Sequence, residues 1–559
     1  MRRLTVLLPV VLLCCARPTT PYDVLIRGAT VYDGTGAPPV VADVAIDGER
    51  IAAVGSLPAA RGRTEIDARG LAVAPGFINM LSHSEESLLR DGRGLGVVAQ
   101  GVTLEVLGES SMAPLDDEMK ARWKAEQDTF PVDYTWTTLG GYFDTLERRG
   151  IAVNVASFIG AGTVRERVLG MAARPPTPAE LDQMRALVAQ GMDEGAIGLT
   201  TMLIYPPDTY ATTEELVALA KVAAARGGSF SAHIRNEGGH IDEALDEVLR
   251  IAREAGIPVA IYHFKLAGRG NWGKLEHVLG RIEAARAAGL RVTANMYTYT
   301  AGATGLDAAM PRWVQEGGYD DWARRLADPA IRARVREEME AADTSWDNWY
   351  QHAGPENMRL IGFKNPALRR YLGRTLAEVA AERRKPAPET AMDLVIEDGT
   401  RVEVAYFVMS DDNLRRELAV PWMSIGSDAG AMAPEPPFTD NSTHPRAYGN
   451  FARLLATYVR DQKVLTLEEA IRRLTSLPAT TLGLSGRGTL AAGGCADVVV
   501  FDPARVQDLA TYEQPHRLAA GVIHVLVNGV PVLVGGQMTA ARPGRIVRGP
   551  GFRAPAPAR

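Results

Sequence analysis

Two histidines stand about thirty residues apart, each just past a short apolar run: Phe230-Ser231-Ala232-His233 and Ala260-Ile261-Tyr262-His263. Two further runs end on carboxylates, Val106-Leu107-Gly108-Glu109 and Ser424-Ile425-Gly426-Ser427-Asp428. Neutral imidazoles and one carboxylate are usual donors to a catalytic zinc ion, with the fourth position left to water. An ion held this way lowers the pKa of its water to about 7. A free carboxylate beside it can take the proton and later hand it to a leaving amine. The expected metal donors are therefore Glu109, His233 and His263, the expected ion is one Zn2+ per chain, and the expected catalytic acid/base is Asp428. Each residue also has a plainer role to be weighed against this. Either histidine could be a satisfied core residue, Glu109 could cap its turn, and Asp428 could be a helix N-cap. His240, His277 and His352 follow no such strand and are expected to be exposed or structural.

These side chains converge only if their runs are parallel strands of one sheet. Candidate strands lie at 71–78, 102–107, 151–158, 196–201, 228–232, 258–262, 291–296 and 422–427. Helical patterns follow most of them, as at Pro178 to Glu194, Thr213 to Arg226, His240 to Ala255 and Lys274 to Ala288. Strands alternating with helices predict an α/β fold, a (β/α)8 TIM-like barrel over 75–482, whose active site lies at the C-terminal strand ends. An insertion at about 301–420, rich in Trp, Arg and Glu, is expected to cover the mouth. Residues 21–74 and 483–540 read instead as short alternating strands, with an Asp47-Gly48 turn signal, and predict a small β-sandwich domain built from both chain ends. The proline- and arginine-rich residues 541–559 predict an extended or disordered tail.

Composition narrows the function classes. The 559 residues are 46% hydrophobic and 23% charged, with a formal charge of −6, so no basic face suits a nucleic-acid partner. No segment beyond the N-terminus approaches the ~18 uncharged apolar residues of a membrane span. Residues 1–20 begin Met1-Arg2-Arg3, continue with the apolar Leu4 to Leu13 and reach Cys14-Cys15, the order of an export signal. Cys14 or Cys15 is a candidate lipid-attachment site, so the expected location is periplasmic or lipid-anchored at a bacterial envelope. Beyond them only Cys495 remains, which excludes a disulfide framework and a cysteine-rich zinc site; it is expected to be a buried small hydrophobe. Nothing in the sequence speaks to oligomeric state.

The ordered motifs resemble the N-acyl-D-amino-acid deacylase (D-aminoacylase) family of the amidohydrolase superfamily. They include Tyr22 to Gly28, Ala74-Pro75-Gly76-Phe77-Ile78, Gln100-Gly101-Val102-Thr103, Gly198-Leu199-Thr200-Thr201, Ala232 to Glu237 and His263-Phe264-Lys265. Gly426-Ser427-Asp428, Thr443 to Gly449 and Gly521 to Gly529 complete the series. The resemblance implies a metal on His233 and His263, Asp428 as acid/base, and an N-acylated amino acid as the small-molecule substrate. It further implies that Lys265, Arg446 and a tyrosine, Tyr297 or Tyr299 with Tyr297 preferred, hold the substrate carboxylate, as guanidinium and ammonium groups do. Two departures stand out. The family's second-strand cysteine is replaced by Glu109 or Ser110, of which Glu109 is the better oxygen ligand. Its first-strand His-x-His becomes Leu81 and His83, which leaves His83 as a substrate contact or a weak second-metal ligand. Hydrolysis of a cyclic amide or dipeptide on the same barrel is the rival activity, and a non-catalytic binding protein the rival class.

Overall fold

The computed structural model describes residues 21–127, 131–342 and 344–554. The expected export signal at 1–20 lies outside them. No helix among the described residues is long and apolar enough to cross a membrane.

Among the described residues, eight parallel strand positions close into the barrel. They are β1 (Phe77–Asn79), β2 (Val102–Leu107), β3 (Asn154–Ser157, continued as Ile159–Gly160), β4 (Gly198–Met202), β5 (Ser229–His233), β6 (Val259–Ile261), β7 (Val292–Met296) and β8 (Met423–Ile425). Neighbours pair in chain order, from β1 with β2 through β7 with β8. The ring closes where the Met80 amide donates to Ile425 O at 3.2 Å and the Asp428 amide to Leu81 O at 2.9 Å. The strand expected at 422–427 spans Met423–Ile425, and Asp428 beyond it lies in the left-handed region, at φ 52°.

The crossover helices form where apolar periodicity and caps agree. Helix Pro178–Glu194 carries a complete capping box between Thr177 and Glu180, with proline in its first turn. Helix Ile241–Ala255 ends on the left-handed Gly256. Its buried residues Ala244, Leu245, Val248, Leu249, Ile251 and Ala252 fall on one stripe, the pattern that packs a helix against a sheet.

Both chain ends enter one nine-stranded sheet beside the barrel. Strand Tyr22–Val31 pairs antiparallel with Val40–Asp47 and parallel with Gly62–Asp67 and Ala72–Pro75. Ala72–Pro75 then takes Val498–Phe501 from the far end of the chain, antiparallel, with Val73 opposite Val500. Ile26, Val44, Val73, Val498 and Leu526 meet in a core separate from that of the barrel. Cys495 departs from expectation: it is only partly buried, bridging to Arg50 at the edge of this sheet rather than packing in the core.

The insertion between β7 and β8 contributes an antiparallel sheet, Gly302–Gly305, Glu403–Tyr406 and Met358–Gly362, with helices around it. At the opposite pole the described part of the tail is extended and fastened. The Gly544 amide donates to Ile151 O (2.8 Å), the Val155 amide to Arg545 O (2.9 Å), Val547 to Val155 O (2.7 Å) and Gly549 to Gly195 O (2.9 Å). A Cβ at Gly544 would lie 2.0 Å from Val153 O, so only glycine passes there.

Candidate active site

The strand ends bring the expected residues to one cavity of about 430 Å3 at the C-terminal face. It is lined by His83, Glu109, His233, His263, Lys265, Tyr297, Asp428 and Arg446, and by Tyr205, Thr304, Trp349 and Arg401. Thr304, Trp349 and Arg401 come from the insertion, which forms one wall of the cavity. His263 and Asp428 both have positive φ, 33° and 52°, a backbone state that non-glycine residues adopt at a cost and that clusters at functional sites.

Glu109 is the centre of the arrangement. Its Oε1 lies 3.5 Å from His233 Nδ1 and 3.4 Å from His263 Nε2, yet it is buried without a hydrogen-bond partner. The two imidazole rings cross nearly perpendicularly, with centroids 4.3 Å apart. Donors bonded tetrahedrally to zinc at about 2.0–2.1 Å are separated by about 3.4 Å. An orphaned carboxylate oxygen flanked by two ring nitrogens at that separation fits a divalent ion. Burial pushes the Glu109 carboxyl up, but His233, His263 and His83 outweigh it and hold it well below the usual carboxylate range.

His83 faces the cavity with 40% of its side chain exposed, its Nε2 3.1 Å from Glu109 Oε2 and 3.0 Å from Asp428 Oδ1. His83, Glu109 and Asp428 thus form a second, more open group of potential donors. Leu81 supplies no side-chain donor but its carbonyl anchors the Asp428 amide. The helix-cap role considered for Asp428 is not the one the fold uses. The next helix after Asp428 begins only at Arg446, so Asp428 does not cap a helix.

Asp428 Oδ2 is 2.7 Å from Arg446 Nη1, both side chains being buried. Burial raises the Asp428 carboxyl, but Arg446, His263 and His83 reverse this and bring it to about 2. The Arg446 guanidinium lies over the Tyr297 ring, 4.5 Å from its centroid. Its Nε is buried without a hydrogen-bond partner. Of the two tyrosines left open by the sequence, Tyr297 lines the cavity, whereas Tyr299 turns toward Arg453 and Tyr512. Lys265 is engaged: its Nζ lies 2.5 Å from Glu237 Oε1 and 2.9 Å from His263 Nδ1.

Several residues escaped the sequence reading. Glu237 closes the Ala232-to-Glu237 motif and is fully enclosed behind the histidines, with Oε1 3.0 Å from His263 Nδ1. A carboxylate four residues after a strand-end histidine was its only signal. His444 accepts the Arg446 amide on Nδ1 at 3.0 Å and contacts Ala301 O through Nε2 at 2.9 Å, which steadies the loop that carries Arg446. Glu85 accepts the Gly108 amide at 2.9 Å and so fixes the turn that presents Glu109. His277 and His352 pair with Asp242 and Asp347 respectively, away from this cavity, and His240 lies near Glu243.

The chain matches the amidohydrolase family profile over residues 64–533. A D-aminoacylase of Alcaligenes xylosoxydans xylosoxydans is 36% identical, over 94% of this chain and 98% of that one. A solved D-aminoacylase, described as having a binuclear metal centre with one-metal activation and second-metal attenuation, superposes with a TM-score of 0.79 at 34% identity, over 94% of this chain and all (100%) of the other. The N-acyl-D-glutamate deacylase of Bordetella bronchiseptica, solved with zinc and a phosphonate mimic of the tetrahedral intermediate, gives the same TM-score of 0.79 at 31% identity, over 95% and 100% of the two chains.

Proposed function

The chain belongs to the amidohydrolase family, and from that membership we propose that it deacylates N-acyl-D-amino acids, splitting a linear amide into a carboxylic acid and a free amino acid. The observation that carries this is the buried, unbonded Glu109 Oε1 between His233 Nδ1 and His263 Nε2. Those three residues would hold one divalent ion, proposed as zinc, and the ion supplies Lewis-acid activation of the acyl carbonyl and of the attacking water. The chain's own groups do the rest. Asp428 accepts a proton from the water as its oxygen adds to the acyl carbon. It returns that proton to the nitrogen as the carbon–nitrogen bond breaks. Arg446, lying on Tyr297, offers its unpartnered Nε to the free α-carboxylate of the substrate. Lys265 is paired with Glu237 behind the histidines, and His83 lines the approach to Asp428. The insertion wall, through Trp349, Thr304 and Arg401, limits water access.

The test pairs metal content with activity. Purified protein is expected to carry about one equivalent of zinc and to release amine from N-acetyl-D-amino acids in preference to the L forms. His263→Ala should lose both properties. Asp428→Asn should keep the zinc and lose about 10²–10⁴-fold in kcat. A parent protein that binds zinc but turns over no N-acyl amino acid would sink the deacylase reading. We also propose export to the cell envelope, supported only by the order of residue types at 1–20; cell fractionation tests it.

A further inference from the structure

The two histidines use opposite ring nitrogens. His233 turns Nδ1 toward Glu109 and His263 turns Nε2, so their remaining nitrogens, Nε2 and Nδ1, point away from the metal position. Both of these meet the same side chain. Glu237 Oε1 lies 3.0 Å from His263 Nδ1, and Glu237 Oε2 lies 3.8 Å from His233 Nε2. That second pair is notable because both atoms are buried and neither has a hydrogen-bond partner. Buried polar atoms left unpaired are rare, and here two stand face to face. A shift of less than about 1 Å brings them to ordinary hydrogen-bond length. Glu237 is itself held firmly. Its amide donates to Asp347 Oδ2 at 3.3 Å, its carbonyl accepts from the Ala267 amide at 2.7 Å, and Lys265 Nζ sits 2.5 Å from Oε1 and 2.9 Å from His263 Nδ1, so a proton on that ring nitrogen turns the ammonium wholly onto Glu237.

We infer that Glu237 is a positioning residue for the metal centre: its single carboxylate fixes ring orientation and proton placement in both His233 and His263, with Lys265 as its counter-charge. The inference rests on the proposal that Glu109, His233 and His263 hold an ion. An imidazole that donates a lone pair from one nitrogen must carry its proton on the other, and a carboxylate there locks that tautomer. Two oxygens serve two rings. Glutamine cannot replace them, because its NH2 end would oppose one ring's N–H. Lys265, expected to be a substrate contact, acts in this scheme through Glu237.

The experiment measures zinc affinity on metal-stripped protein by chelator competition, with thermal midpoint as the folding control. Glu237→Gln should weaken zinc binding about 10–100-fold and shift the visible spectrum of the cobalt-loaded protein. The KM for an N-acyl-D-amino acid at saturating zinc should stay within about twofold. Glu237→Asp should restore part of the affinity. Zinc affinity within twofold of the parent, with an unchanged cobalt spectrum, would overturn the inference. If Glu237→Gln does not fold, Glu237→Asp decides: an altered cobalt spectrum supports positioning and a parent-like one refutes it. Lys265→Met should weaken zinc binding, and combined with Glu237→Gln it should add little further loss. A Lys265→Met protein with raised KM and unchanged zinc affinity would refute the counter-charge role. A parent that takes up no zinc would instead remove the metal reading on which all of this stands.

Discussion

A carboxylate between two imidazoles describes a place that attracts positive charge whether or not an ion occupies it. Burial and Lys265 push the His263 imidazole down, but Glu237, Asp428 and Glu109 prevail and raise it to about 9, so protons occupy this ring in the metal-free protein at neutral pH. His83 is likewise raised well above its ordinary value; burial opposes the shift, and the hydrogen bonds to Asp428 and Glu109 drive it. A metal must expel the His263 proton to reach the Nε2 lone pair. Apparent zinc affinity should therefore rise with pH, about tenfold per unit for one displaced proton, and level off above about pH 9. Titrating chelator-buffered zinc between pH 6 and pH 10 and counting released protons checks this; a flat profile would contradict it. At this scale the sequence anticipated which residues share the cavity where they lie directly at a strand end, as for His233, His263 and Asp428. It was silent on Glu237, because nothing in a sequence says which way a carboxylate turns after the strand has ended. It preferred Tyr297 to Tyr299 only through the family resemblance. Those two share one face of the chain by alternation, and a turn beyond β7 separates them in space.

At the scale of elements, turns decide whether donors arrive in register. Gly108 ends β2 at φ 105°, and a Cβ there would lie 2.6 Å from Phe158 O and 2.8 Å from Phe158 N. Glu85, from the helix Glu85–Arg90, grips the same glycine amide. Gly108→Ala should destabilise the protein by about 1–3 kcal/mol through backbone strain, and should also displace Glu109 and weaken zinc binding. Urea unfolding and zinc competition on the same variant read the two effects, and normal values for both would show that the turn tolerates a side chain. The crossover helices were legible to within a residue or two because amphipathic periodicity and capping residues coincide. Helix Pro178–Glu194 matches its sequence expectation at both ends. β3 was less legible: Phe158 interrupts it, its amide donating to Leu107 O at 2.9 Å, and the strand resumes as Ile159–Gly160. That break reflects a neighbouring strand, which no local pattern records.

For the molecule as a whole, the tail carries more structure than its proline- and arginine-rich composition suggests. Low-complexity composition reports a lack of side-chain packing, but here backbone groups do the fastening. The amides and carbonyls between Gly544 and Gly549 pair with Ile151, Val155 and Gly195 beneath the barrel, and Ile546 is nearly enclosed. Truncation after Ala541 removes these and the Arg553 amide bond to Asp193 O, five backbone bonds at roughly 1 kcal/mol each, and should lower the thermal midpoint while leaving the distant cavity and its zinc affinity intact. A truncated protein with the parent's midpoint would show the strap to be dispensable. The two-ended sheet has a different consequence, one of timing. Ala72–Pro75 waits for Val498–Phe501, more than four hundred residues later on the ribosome, before its open edge is covered. Such distant pairings form slowly. Until then an apolar strand edge is exposed to other nascent chains, so yield in the cell should depend on whatever shields that edge between the synthesis of the first strand and the last.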